Sequence, residues 1–379
     1  MVQIVIGGIL AFLLAFFIMP FVIKIAQIKN LYDVPDERKT HTSPIPSLGG
    51  LGIFIGLIIS LLLTNDFTAQ VPEFQYYIAA LFIMFILGVL DDIFVLSAIK
   101  KVTGQLIVAG ILTFKAHLLI TNLHGFLGID ELNTFFSYAI SFFAIVGIIN
   151  SFNLIDGVDG LAGSIAVLTS LCFGVFLFID NDIPHALLAF TIAGALFAFL
   201  IYNFHPAKIF MGDSGSMLIG LVNAILVIRF IQSSNTNISF MHITSTLAIG
   251  AGILLLPLMD VLRVFCIRLS KGQSPFAPDR NHLHHLLLNK GFSHTKVTLT
   301  LVLMSGFFAV TSMLFQTLNS TLELVILSVL FFTCVGLLRY VTPRRKWLRV
   351  VADKEAEESK NVKIVSIFPP DQAAVLEEE

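Results

Sequence analysis

NSFNLIDGVDGLAG, residues 150–163, breaks an otherwise continuous apolar sequence with two asparagines, two aspartates and three glycines. An apolar run, Phe135 to Ile149, leads into it and another, Leu161 to Ile179, leads out. Its carboxylates therefore sit where a membrane span meets water, a position costly for ionisable groups unless they are paired or functional. Asn150, Asn153, Asp156 and Asp159 recur at steps of three, which on a helical turn places neighbours on one face. Clustered oxygens of this kind suit a hard divalent cation, and the glycines let a phosphate or a flat base approach the backbone. The plain alternative is a polar, glycine-rich turn between two spans.

The rest of the 379-residue chain fits a membrane setting. It is 56% hydrophobic and 13% charged with mean hydropathy +0.90, which excludes an ordinary soluble globular protein. The expected fold is an all-α polytopic membrane protein. Apolar runs long enough to span a bilayer fall at about 2–23, 48–64, 76–92, 102–120, 135–151, 160–179, 185–203, 214–231, 243–262, 297–317 and 322–341. Eleven spans form one membrane catalytic domain over 1–341, followed by a charged tail over 342–379. The run at 243–268 is expected to bend near Pro257, with Arg263 and Arg268 wetted. The first run lacks a basic leading region and a cleavage site and is expected to remain as a span. With the N-terminus outside and the C-terminus inside, only Lys115 and Arg229 of the 23 basic side chains face outward. Cys172, Cys266 and Cys334 are too scattered for a disulfide framework or zinc site and count as packing. His117, His124, His185 and His242 face outside in this topology, and no nucleic-acid partner is expected.

Every unusual constellation then falls on the inner side. Asp91-Asp92 closes the third run, where adjacent carboxylates repel unless a cation intervenes; a helix end turning polar is the alternative. FMGDSGS, 210–216, sets Asp213 between glycines before another span, as an oxygen ligand for Mg²⁺ or as a helix cap. RNHLHH, 280–285, offers Arg280, His282, His284 and His285 as donors to a pyrophosphate, or a solvated loop. Lys39 and His41 precede IPSLGG in a phosphate-facing loop, while Lys100 and Lys101 sit at headgroup level as contacts or topology anchors. An ion-coupled transporter is the alternative from another class. Clustering of the acids at one rim rather than at mid-membrane argues against it.

Taken in this order, DD at 91–92, NSFNLIDGVDGLAG, FMGDSGS and SPFAPDRNHLHHLL resemble the polyprenyl-phosphate N-acetylhexosamine-1-phosphate transferases, over about residues 30–300. The HLHH spacing is similar to the GlcNAc-1-phosphate branch, and KTHTSPIPSLGG departs from the MraY-type loop pattern. The resemblance implies a bacterial inner-membrane enzyme that transfers GlcNAc-1-phosphate from UDP-GlcNAc to polyprenyl (undecaprenyl) phosphate, with another UDP-N-acetylhexosamine as the alternative donor. It implies that Asp213, helped by Asn153, holds Mg²⁺, with Mn²⁺ as a substitute. Asp91 and Asp92 would lie beside the metal and the lipid phosphate. Gly157, Val158, Asp159 and Phe210 match positions that cradle uracil, and Asp156 supports that loop. Arg280, His282, His284 and His285 would meet the diphosphate or sugar, Lys101 the lipid phosphate. A homodimer in the bilayer is the expected assembly.

Overall fold

The computed structural model describes residues 1–29, 31–33, 45–64, 71–233, 245–274 and 281–341. Lys39, His41, Arg280 and the tail over 342–379 lie outside the described residues.

The architecture is helical, as the hydropathy predicts. In chain order the helices are α1 (Val2–Ile28), α2 (Gly49–Thr64), α3 (Phe74–Phe94), α4 (Ala98–Gly110), α5 (Thr134–Ile155), α6 (Leu161–Ile179), α7 (Ile183–Asn203), α8 (Gly212–Ser233), α9 (Thr246–Ile253), α10 (Leu255–Ser270), α11 (Leu283–Asn289), α12 (His294–Leu314) and α13 (Ser320–Val341). Two antiparallel pairs are the only strands among the described residues: β1 (Tyr32–Asp33) with β2 (Ile45–Pro46), and β3 (Asn122–Phe126) with β4 (Ile129–Glu131).

Among the described residues, eight helices are long and apolar enough to cross a bilayer. The count is nine if α9 and α10, which meet at 77°, form one broken span. The other two expected runs are shorter or interrupted. α2 has 16 residues, and the run at 102–120 is split between α4 and a π-helical turn, Ile111–Lys115. The expected bend falls at Leu254, three residues before Pro257. Pro257 occupies the first turn of α10, where a missing N–H is tolerated. Arg263 and Arg268 are buried at 7% and 3% exposure, not wetted as expected.

α8 is the hub: every residue from Ser214 to Ile228 is buried. With no hydrophobic force between helices in lipid, close packing must come from small residues. A Cβ on Gly88 of α3 would lie 2.3 Å from the Ser214 Cα, and one on Gly220 of α8 would lie 2.7 Å from the Ile149 Cα of α5. These two contacts bring the Asp91-Asp92 end of α3 and the Asn150–Asn153 end of α5 against the start of α8. The three motifs thus meet at one end of the bundle because their helices cannot pack otherwise.

Candidate active site

Adjacent residues on a helix point about 100° apart, so Asp91 and Asp92 do not share one cation as the sequence suggested. The Asp92 carboxylate accepts from the backbone N–H of Asp213 (2.7 Å, Oδ1) and of Ser214 (3.1 Å, Oδ2). It therefore caps α8 from a neighbouring helix, satisfying amides that have no intrahelical partner. Asp213, released from capping, points its own carboxylate elsewhere. Gly212 makes this approach possible: its φ is +72°, and a Cβ there would lie 2.7 Å from Asp92 Oδ2 and 2.2 Å from the Ser47 carbonyl oxygen.

Asp91 is 5% exposed and faces the other way. α3 ends in Val95 at φ +51°, a left-handed conformation unusual for a β-branched residue. That turn brings the Leu96 N–H to Asp91 Oδ1 at 2.6 Å. Asp91 Oδ2 is ion-paired with the Lys101 ammonium, which also donates to Asp213 Oδ2 at 2.6 Å. Asn153 Nδ2 donates to Asp213 Oδ1 at 2.9 Å and to Ser216 Oγ at 3.0 Å. Asn150 lies one turn back and pairs with Gln105 of α4 (2.7 Å from Asn150 Nδ2 to Gln105 Oε1), so it braces the helix that carries Lys101. Lys100 is exposed and makes no such convergence.

Two carboxylates thus close on one cation, the Lys101 ammonium, with an amide beside them. The oxygens that face this point are those of the Asp91 and Asp213 carboxylates, whereas Asn153 turns its Nδ2 toward Asp213; carboxylate oxygens are ligands that a hard divalent cation takes.

The 156–160 loop continues the site. α5 ends at Ile155, so the three-residue periodicity holds for Asn150 and Asn153 only; Asp156 and Asp159 belong to the turn. Burial first, and then the charges of Asp213, Asp92 and Asp159, push the Asp156 carboxyl up to about 8. The Asp159 carboxylate is buried and turned onto two histidines, His205 Nδ1 at 2.7 Å and His294 Nδ1 at 3.3 Å. Burial works to raise the Asp159 pKa, yet the two imidazoles hold it below the ordinary carboxylate range. The Gly160 N–H donates to Asn203 Oδ1 (2.8 Å), and Thr298 Oγ1 donates to the Asp159 carbonyl (2.8 Å). Val158 is buried in the turn.

The histidine motif arrives from the other side. A Cβ on Gly157 would lie 2.4 Å from His284 Nε2, so His284 rests directly on the loop backbone. His282 and His284 stack, with ring centroids 5.8 Å apart and planes at 9°, and His285 follows at 4.3 Å from His284. Burial, then His285, lowers the His284 pKa to about 3, so it serves as a neutral imidazole rather than a cation. The anchor of the motif is Asp260, which the sequence reading passed over. It accepts from Arg263 (2.7 Å) and the Leu283 N–H (3.2 Å) and pairs with His282 Nδ1 (3.0 Å); Arg263 also donates to the Asn281 carbonyl. An ionisable pair three residues apart inside an apolar helix was the available signal. His282 Nε2 and His284 Nδ1 are buried without a hydrogen-bond partner among the described residues, poised for a ligand.

The strand before α2 closes the floor. Phe210 N–H donates to the Pro46 carbonyl (2.7 Å), the Gly49 N–H to the Phe210 carbonyl (2.9 Å), and the Gly50 N–H to the Met211 carbonyl (2.9 Å). IPSLGG is thereby stitched to FMGDSGS, with Phe210 at the seam.

Residues 74–231 match the family described as Glycosyl transferase family 4. The chain is 31% identical to the undecaprenyl-phosphate alpha-N-acetylglucosaminyl 1-phosphate transferase of Yersinia pestis, covering 86% of this chain and 87% of the relative. It is 30% identical to the protein of the same description in Escherichia coli (strain K12), over 86% and 87%. It is 34% identical to the decaprenyl-phosphate N-acetylglucosaminephosphotransferase of Mycobacterium tuberculosis (strain ATCC 25618 / H37Rv), over 73% of each. These relatives are transferases, which leaves the transporter alternative without support. Identity of 30–34% over 73–86% of its length makes the chain a member of the polyprenyl-phosphate N-acetylglucosamine-1-phosphate transferases of glycosyl transferase family 4.

Proposed function

We propose that the chain transfers GlcNAc-1-phosphate from UDP-GlcNAc to undecaprenyl phosphate or a similar polyprenyl phosphate, as the first membrane step of a cell-surface glycan. The observation that carries this is the convergence of Asp91, Lys101, Asn153 and Asp213 at the bundle end where the 150–163 loop and the HLHH motif also meet.

In the reaction, an oxygen of the lipid phosphate attacks the β-phosphorus of the donor. The bond from that phosphorus to the bridging oxygen breaks, and UMP leaves with the electron pair. The attacking oxygen is already anionic, so positioning and charge neutralisation can supply most of the acceleration. Asp213 and Asn153, with Asp91 opposite, would hold Mg²⁺ or a substituting Mn²⁺, which when bound neutralises charge on the donor diphosphate. Lys101 is placed to leave its carboxylates for the incoming lipid phosphate. Asp92 keeps the N-terminus of α8 fixed, so the first-turn Asp213 is held for its task. Neutral His284, with His282 and His285, donates to the diphosphate without adding a cation, and Arg280 adds one. Gly157, Val158, Phe210 and the backbone of Asp159 form the base-binding side, which Asp156 adjoins.

The concentration of basic residues at this end supports an orientation with the site and C-terminus cytoplasmic and the N-terminus outside, in the bacterial inner membrane. Homodimers in the bilayer accord with the same reading.

The test is competition among UDP-N-acetylhexosamines, with the purified protein, a polyprenyl phosphate and Mg²⁺, read by mass of the lipid product. A polyprenyl-diphosphate carrying GlcNAc is expected. Preference for a different sugar would move the donor assignment, and no lipid-linked product from any donor would overturn the reaction.

A further inference from the structure

Asp159, His205 and His294 stand apart from the Asp213 cluster in chemistry. Among the described residues they are the one group of three His, Cys, Asp or Glu side chains whose ligand atoms all lie within 4.8 Å of one another. They come from three separate segments: the turn between α5 and α6, the connection between α7 and α8, and the first residue of α12. The scaffold holds two of these in place without the side chains in question, since Asn203 accepts from the Gly160 N–H and Thr298 donates to the Asp159 carbonyl.

The contacts inside the group are uneven. His205 Nδ1 lies 2.7 Å from Asp159 Oδ2, a good hydrogen bond. His294 Nδ1 lies 3.3 Å from Asp159 Oδ1 and makes no hydrogen bond, although that nitrogen is fully buried. A buried ring nitrogen aimed at a carboxylate oxygen but misaligned for a hydrogen bond calls for another partner. Ligands about 2.0–2.2 Å from a tetrahedral metal are themselves separated by about 3.3–3.6 Å; the 3.3 Å between His294 and Asp159 matches this, and the 2.7 Å hydrogen bond of His205 would have to open on binding. The two imidazole rings lie 4.9 Å apart at 31°, so neither blocks the other. His205 is 45% exposed, which provides an entry path and a solvent-side fourth position.

We propose that Asp159, His205 and His294 form a second metal site, which takes one borderline cation of the Zn²⁺ class rather than Mg²⁺. Two imidazoles and one carboxylate are the ligands such ions favour, whereas Mg²⁺ requires oxygen. The inference does not depend on the transferase reading. An occupied site would tie the 156–160 turn to the α7–α8 connection and the start of α12.

The experiment uses the full-length protein in detergent, stripped with chelator and then equilibrated with Zn²⁺ under a large excess of Mg²⁺, which fills oxygen sites. Bound zinc is counted, and Co²⁺ is substituted to read the ligand field. Wild type is expected to retain one equivalent with a tetrahedral nitrogen–oxygen Co²⁺ spectrum, and Zn²⁺ is expected to raise its melting temperature. His205→Gln and His294→Gln should each bind at least about tenfold more weakly and lose the thermal shift. Metal-free melting temperatures of the variants are measured alongside; His205, being half exposed, tolerates replacement and keeps the test valid if His294→Gln misfolds. Asp213→Asn should keep the equivalent. No retained zinc in wild type, unchanged zinc in His205→Gln, or its loss in Asp213→Asn would each overturn the proposal.

Discussion

The two ends of the helical bundle carry buried acid clusters of opposite design. At the far end, Asp182 is saturated: one oxygen pairs with His185 Nδ1 (2.7 Å) and the other accepts from Arg229 Nε (2.6 Å), while His185 Nε2 reaches Tyr77 at 3.4 Å. Burial works to raise the Asp182 pKa, but His185 and Arg229 override it and bring it down to about 2. At the end that carries the sequence motifs, Asp91 and Asp213 share one ammonium, Lys101, while Asp92 accepts from the α8 amides and Asp156 lies near by. Burial, and then the neighbouring carboxylates, raise the Asp156 carboxyl to about 8 there. A closed cluster stabilises the fold; an open one is a place for a cation and an anionic substrate. The same elements, carboxylates at helix ends, thus differ in whether the chain itself balances them.

The largest effect that sharpens this contrast is at Lys101. Lys101→Ala should lower kcat/KM by about 10²–10³ through loss of a positioned cation, and should also lower the melting temperature, because Asp91 and Asp213 lose the ammonium that pairs them. Steady-state kinetics and thermal unfolding on the same preparation check it. Asp182→Ala should act on stability alone and cost about 3 kcal/mol, the lower end for a buried pair because Arg229 is 34% exposed. Activity per folded molecule should stay unchanged, which a temperature scan at fixed substrate separates from unfolding.

Asp92→Ala should cost about 1 kcal/mol, as a lost helix cap does, and should also lower activity because it loosens the start of α8. Asp92→Asn, which keeps one acceptor oxygen, should recover part of both. Equal loss of activity with no loss of stability would instead mean that Asp92 touches the substrate.

The remaining contrast is in pH. Asp156 has a folded pKa raised from 3.8 to about 8, so its contribution to stability is present at low pH and is lost as pH rises through that window. Asp182 has a folded pKa lowered from 3.8 to about 2, so its contribution is present above the unfolded value and is lost as pH falls toward 2. Unfolding of Asp156→Asn should be flatter than wild type between pH 4 and 8, and Asp182→Asn flatter only on the acid side.

Hydropathy and motif order made the helical fold, the meeting of DD with NSFNLIDGVDGLAG and FMGDSGS, and the arrival of HLHH legible in the sequence. Each lies at the end of an apolar run, and alternation of spans puts those ends together. The division of labour between Asp91 and Asp92 was not legible, because it depends on which side of α3 faces the amides of α8. Arg263 and Arg268 looked like the wet end of a bent helix and Asp260 carried no signal of its own, yet all three are buried, with Asp260 paired to Arg263 and His282. His205 sits in the α7–α8 connection and His294 at a helix start; only the tertiary approach of three distant segments shows that both face Asp159.

The most direct test measures UMP released from UDP-GlcNAc by wild type and Asp213→Asn as Mg²⁺ is titrated, with and without polyprenyl phosphate. Release by wild type should require both the metal and the lipid, and Asp213→Asn should remain inactive at every Mg²⁺ concentration while folding normally. An Asp213→Asn protein that follows the wild-type Mg²⁺ curve would show that the cluster around Lys101 does not hold the reacting diphosphate.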